Sequence, residues 1–138
     1  MKSLQKFIYE SEETSKPINA FIILKPEFLE YQQEWLDKIM DSGWTVKEMI
    51  ELTLSPNQAK RLYKMHCDED WFKDLCDYMA SGPCVCAICH KDCKKPIKDM
   101  KQIKYYFRDK YGKDEMKNMM HSSDSLKNVE REKNIIFK

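Results

Sequence analysis

From residue 18 onward, short continuous apolar runs alternate with stretches in which apolar residues recur every three or four positions. Ile18 to Leu24 is almost wholly apolar, which predicts a strand buried on both faces, and Lys25-Pro26 ends it. Phe28, Tyr31, Trp35 and Ile39, widened by Leu36 and Met40, mark one face of a helix that stops at Gly43. Trp44 to Leu54 alternates loosely through Val46, Met49, Ile50 and Leu52 and reads as a second strand. Ser55-Pro56 is an N-cap followed by a first-turn proline, opening a helix with Ala59, Leu62, Tyr63 and His66 on one face. A further helix carries Trp71, Phe72, Leu75, Cys76 and Met79 and closes at Gly82-Pro83. Cys84 to Cys89 is short and apolar, a third buried strand. Lys91 to Tyr111 is basic, helical in its later part, and ends at Gly112. A capped helix after Ser123 leads into Ile135-Ile136-Phe137, read as the last strand.

This order of elements is that of a split βαβ, ferredoxin-like chain in the α/β (α+β sandwich) class, with a four-stranded antiparallel sheet covered by helices. Residues 1–17 form a polar extension without periodicity, so the expected division is a tail of residues 1–17 and a domain of residues 18–138. At 138 residues a single domain buries an adequate core without staples. A net charge of +1 gives no reason to expect nucleic acid or a membrane surface as the main partner, and no apolar run approaches a bilayer span. Six cysteines without a secretory leader point to free thiols in a reducing, cytoplasmic setting.

Of the chain's three glycines, Gly43, Gly82 and Gly112, each falls where a helix should stop. None remains for a phosphate-cradling loop, so any bound nucleotide must be held by side chains and helix ends. Cys84, Cys86, Cys89 and Cys93, with His90, are dense enough to suggest zinc. In a strand, however, Cys84 and Cys86 share one face and Cys89 takes the other, which disfavours a shared metal and favours cysteines packed as small apolar groups.

The stretch Asn118-Met119-Met120-His121-Ser122-Ser123-Asp124-Ser125 places a histidine just ahead of an N-cap signal, where free N–H groups and a helix dipole attract anions. Alone, these residues describe a surface histidine before a capped helix. With Glu132 eleven residues on and the Ile135-Ile136-Phe137 end, the block resembles the signature of nucleoside diphosphate kinases. Two other blocks carry the same resemblance: Phe21-Ile22-Ile23-Leu24-Lys25-Pro26, and Tyr63-x-x-His66 with Trp71-Phe72-x-x-Leu75-x-x-Tyr78-Met79-x-Ser81-Gly82-Pro83. Arg108 and Tyr111-Gly112 precede the histidine block as they do in a divergent branch of the family.

The resemblance implies a Mg²⁺-dependent phosphotransferase that moves the γ-phosphate of a nucleoside triphosphate to a nucleoside diphosphate through a phosphohistidine. It implies His121 as nucleophile, Glu132 orienting the ring with Ser123 assisting, and Lys25, Arg108 and Asn118 on phosphates and ribose. Tyr63 and His66 would line the same pocket, and Trp71 and Leu75 would sandwich the base, although Trp71 fits helix core equally well. Any metal would be held through the nucleotide phosphates, with no ligand set in the protein. Three departures stand out. Glu27 replaces an Asp and Ser122 a Gly, and the segment from Lys91 to Phe107 is shorter than in the family, with neither Arg nor Thr but with Lys91, Lys94, Lys95, Lys98, Lys101 and Lys104. The alternative is therefore a catalytically weak or inactive nucleotide-binding module of the same fold, and the shortened segment implies a homodimer or monomer in place of a hexamer.

Overall fold

The computed structural model describes residues 17–137, so the extension of residues 1–17 lies, apart from Pro17, outside the described residues. Strand β1, Ala20–Leu24, is buried at every position and pairs antiparallel on both sides, with β3 (Cys84–His90) and with β4 (Met120–Ser122). Strand β2, Thr45–Leu52, pairs antiparallel with β3, with an irregularity between Val46 and Glu48. The sheet order is β2-β3-β1-β4, the ferredoxin-like arrangement expected from the element order. β4 is thus a three-residue edge strand.

Alternation along β1 feeds two cores. Ala20, Ile22 and Leu24 face Trp35, Leu36 and Ile39 of helix α1 (Gln32–Asp41) and Met100, Ile103 and Phe107 of helix α4 (Pro96–Tyr111). Phe21 and Ile23 face Ala59 and Leu62 of α2 (Pro56–Leu62), Leu75, Cys76 and Met79 of α3 (Phe72–Met79), and Val129 and Ile135 of α5 (Leu126–Ile136). Cys84 and Cys86 lie in the second core and Cys89 in the first, as strand alternation requires. Helix α2 opens with a reciprocal capping box between Ser55 and Gln58 and a first-turn proline. Gly43 ends the turn after α1 at φ 97°, a conformation costly for any residue with a Cβ.

The C-terminal reading is corrected. Ile135 and Ile136 belong to α5, and the fourth strand is Met120–Ser122. Val129, Glu132 and Ile135 are all buried and recur every three residues, so the helical face runs through to Ile136, where a short apolar run at its end had looked like a strand. The α5 N-cap is Ser125, whose side chain accepts from the Asn128 N–H, so His121 sits in β4 and not at the helix mouth. Tyr63 caps α2 and His66 belongs to the separate 3-10 turn Lys64–His66, so the single helical face expected for them is broken in two. None of the described helices is long and apolar enough to cross a membrane.

Candidate functional site

His121 is fixed by its backbone first. It pairs with Ile23 in the β1–β4 ladder, and Met119 before it turns at φ 83° while its carbonyl accepts from the Lys25 N–H at 2.8 Å. A left-handed methionine is strained, and the strand pairing on one side and its own complete burial hold it there. The imidazole then lies edge-on between Phe21 and Tyr63, at centroid distances of 6.2 and 5.4 Å.

The ring's Nε2 is 2.8 Å from Glu132 Oε1, and Ser123 Oγ donates to the same oxygen at 2.7 Å. Arg131 Nη2 approaches the other carboxylate oxygen at 3.4 Å. Burial pushes the Glu132 carboxyl up, but His121, Ser123 and Arg131 outweigh it and hold the group below its ordinary value. Glu132 is therefore ionised at neutral pH and can only accept, so Nε2 carries the proton. The lone pair is left on Nδ1.

Around this histidine lies a cavity of about 710 Å³ lined by Lys25, Tyr63, His66, Trp71, Leu75, Arg108, Asn118, His121 and Glu132. Of the residues singled out in the sequence, Ser123 alone does not line it, and it acts on the site through Glu132. Lys25, at the end of β1, donates to Asn118 Oδ1 at 2.8 Å and to the Met116 carbonyl at 3.2 Å, and Asn118 donates to the Glu115 carbonyl at 2.6 Å. Burial, followed by the nearby Arg108 and Lys104 cations, brings the Lys25 pKa down to about 7. Arg108 Nη2 donates to the Met120 carbonyl at 3.2 Å, which ties α4 to β4.

Gly112 makes this geometry possible. A Cβ there would lie 2.5 Å from the Arg108 carbonyl oxygen and 3.3 Å from the Asn118 Cα, so only glycine lets the chain return toward Lys25 so tightly. At the outer end of the cavity Trp71 is 43% exposed, its ring 5.1 Å from His66 and tilted by 48°. The half-exposed ring excludes the helix-core reading of Trp71. Leu75 is buried beneath it.

Lys104, Ser122 and Asp124 also line the cavity and were not singled out in the sequence. Lys104 belongs to the basic run that the sequence offers either as replacement positive charge for the missing Arg or as a solvated helix face. The available signal was its place in the apolar stripe Met100, Ile103, Lys104, Phe107, all buried on one face of α4. Ser122 reaches the same cavity because β4 is an edge strand, around which the cavity extends.

The fold is an antiparallel split βαβ sheet whose edge strand carries a carboxylate-bound histidine beside a cavity lined by Lys25, Lys104 and Arg108. Comparison with known proteins makes this specific. The family model described as nucleoside diphosphate kinase matches residues 19–138, and the chain belongs to that family. It is 30% identical to a nucleoside diphosphate kinase of Salinibacter ruber, covering 83% of this chain and 88% of that protein. It is 27% identical to thioredoxin domain-containing protein 6 of Xenopus laevis and 28% identical to human nucleoside diphosphate kinase homolog 5, but spans only 23% and 59% of those longer proteins. The crystal structure of the Aquifex aeolicus nucleoside diphosphate kinase superposes with a TM-score of 0.76 at 26% identity, covering 86% of this chain and 94% of that one.

Proposed function

We propose that this chain is a working nucleoside diphosphate kinase, transferring the γ-phosphoryl group of a nucleoside triphosphate to a nucleoside diphosphate by way of His121. The observation that carries the proposal is the His121–Glu132 contact at 2.8 Å, which commits the proton to Nε2 and leaves Nδ1 as the nucleophile. In the first half-reaction the Nδ1 lone pair forms a bond to the γ-phosphorus as the bond to the β–γ bridging oxygen breaks, and the nucleoside diphosphate leaves with that oxygen. In the second, a terminal phosphate oxygen of another nucleoside diphosphate attacks the same phosphorus and the N–P bond breaks, restoring the imidazole.

Glu132 holds the ring and stabilises the positive charge it gains on phosphorylation, with Ser123 fixing the carboxylate. Lys25 and Arg108 offset phosphate charge, and electrostatic placement of this kind supplies most of the catalysis in phosphoryl transfer. Asn118 and Tyr63 position phosphate and ribose, Trp71 and Leu75 hold the base, and His66 stands by the phosphates. Stacking on Trp71 accepts every base, which suits a kinase with little base preference.

Among the described residues no group of three His, Cys, Asp or Glu is placed to hold a metal ion, while Lys25, Lys104 and Arg108 give the cavity a cationic wall. Such a donor set fits a cation that enters on a polyphosphate and not a free one. Mg²⁺ bound in that way would neutralise part of the phosphate charge, with Asp114, Glu115 and Asp124 at the cavity wall to meet its water shell.

One observation favours the second reading, a nucleotide-binding module without turnover: the shortened segment from Lys91 to Phe107 contains neither Arg nor Thr. Incubation with Mg²⁺-ATP followed by intact mass measurement separates the two. One acid-labile phosphate, absent in His121→Ala, is the expected result for the kinase.

A further inference from the structure

Among the described residues, two lysines are buried. One, Lys25, is satisfied by Asn118 and Met116. The other, Lys104, is 6% exposed and lines the cavity; among the described residues it makes no hydrogen bond or ion pair, its Nζ lies 5.3 Å from the Tyr105 ring, and Asp124 and Glu132 act on it only at longer range. Its neighbours in the basic segment are paired differently, Lys91 with Asp99 at 3.1 Å and Lys101 with Asp124 at 3.3 Å. An unpaired buried ammonium is costly, and here burial and the Arg108 guanidinium bring its pKa down to about 8.

Lys104 is not the only unsatisfied group on this wall. Ser122 Oγ, Arg108 Nε and Tyr63 Oη, all of residues that line the cavity, are buried and have no hydrogen-bond partner among the described residues. Buried polar groups normally find partners, so these unmet groups, with the Lys104 ammonium beside them, indicate a ligand supplied from outside. Lys104 and Arg108 are four residues apart on α4, which stacks their side chains on one face of the helix. Ser122 follows His121 in the edge strand β4 and pairs with Ile22, so by strand alternation it takes the face covered by α4, and the two residues meet the cavity from opposite sides of the sheet edge. Of the carboxylates nearby, Glu132 is bound to His121 and Ser123, Asp124 to Lys101, and Asp114 to the Met116 and Lys117 N–H groups. A phosphoryl group offers three oxygens to the unmet donors.

We propose that Lys104 and Ser122 form a cation–hydroxyl clamp on the transferring phosphoryl group, working beside Arg108 and supplying from α4 and β4 what the shortened segment cannot. The inference rests on the proposed reading of His121 as the phosphate acceptor. The ammonium holds charge as the phosphoryl group loosens from its leaving oxygen, and the hydroxyl donates to one of its equatorial oxygens.

The test uses the full chain carrying Lys104→Gln, Lys104→Met, Lys104→Arg, Ser122→Gly and the Lys104→Gln/Ser122→Gly pair. Rapid-quench rates of His121 phosphorylation from saturating Mg²⁺-ATP are measured beside binding of a non-hydrolysable Mg²⁺-ATP analogue and of adenosine, and melting temperatures. Lys104→Gln and Lys104→Met should slow phosphorylation roughly 10- to 100-fold while leaving adenosine affinity unchanged, and Lys104→Arg should restore most of the rate. Ser122→Gly should slow it by about 2- to 10-fold, and the pair should lose less than the product of the single losses. Equal rates in the wild type and both neutral Lys104 variants would overturn the clamp and leave the kinase reading standing. So would a loss that tracks a lowered melting temperature and is not rescued by arginine, since that is a packing role. If the wild type is never phosphorylated the kinase reading fails, and binding then decides: affinity for a non-hydrolysable Mg²⁺-ATP analogue unaffected by Lys104→Gln would overturn the clamp as well.

Discussion

Nε2 of His121 lies 2.8 Å from Oε1 of Glu132, a carboxylate only 2% exposed, on a different element eleven residues further along the chain. The contact determines which nitrogen faces the cavity, so replacing the charge should affect the chemistry more than the fold. Glu132→Gln keeps an acceptor oxygen but no longer compels the Nε2–H tautomer, and phosphorylation of His121 should slow by roughly 10- to 1,000-fold. Rapid-quench measurement checks this, and an unchanged rate would remove Glu132 from the mechanism. The same carboxyl has a native pKa below its ordinary 4.5. Its ionised form is thus favoured by the fold, so its contribution is present above pH 4.5 and is lost as the pH falls through the native value. Denaturant titrations at pH 3 to 6 should show a shallower acid loss in Glu132→Gln.

Lys25 shifts in the opposite sense. Its native pKa is about 7 against an ordinary 10.5, so between those values the unfolded chain binds more protons and stability rises with pH. A bound phosphate favours the ammonium and should raise that pKa again, against the Arg108 and Lys104 cations and with Asp114. Nucleotide binding at about pH 8 should therefore take up protons, and affinity should fall as the pH rises from 7 to 9. Calorimetry in buffers of different ionisation enthalpy measures the uptake. Binding with no proton exchange at that pH would contradict the assignment of Lys25 and Lys104 to phosphate.

Gly112→Ala tests the tight return of the chain after α4. The new methyl meets backbone, not a flexible side-chain end, so the α4 terminus or Asn118 must move. A destabilisation of about 1–3 kcal/mol is expected, as for other overpacked sites, together with weaker nucleotide binding because Asn118 holds Lys25. Chemical denaturation and titration of the same sample measure both. An unaltered midpoint would show that the approach is not close in solution.

Trp71→Ala should do the reverse. A side chain 43% exposed at a cavity mouth contributes little to the core, so the melting temperature should change little. Purine and pyrimidine nucleotides should both lose roughly 1–3 kcal/mol of affinity, the range for base–aromatic stacks. Loss for one base class alone would point to a hydrogen-bonding pocket.

The parts of this architecture legible in the sequence are those with a local cause. The apolar run in β1, the Ser55-Pro56 cap and the alternation of Cys84, Cys86 and Cys89 each follow from spacing or a side chain's reach. Strand β4 was hidden because Met120, His121 and Ser122 are too few to show a period and two of them are polar. Its absence from the reading drew Ile135 and Ile136 into a strand they do not form. The grouping around His121 came from resemblance, since nothing local brings Lys25 to Asn118 across 93 residues. The sequence offers Lys104 only as one of six lysines that could supply charge, because a lysine among lysines reads as solvated and its place between Ile103 and Phe107 alone indicates that it is the buried one.

The central claim is that His121 passes a phosphoryl group from one nucleotide to another. The direct measurement is a chase: the protein is labelled with γ-³²P ATP and Mg²⁺, freed of nucleotide, then mixed with GDP. The account predicts that label leaves the protein and appears in GTP, and that His121→Ala neither takes it up nor passes it on. A wild-type protein that binds nucleotide but yields no labelled GTP would contradict it.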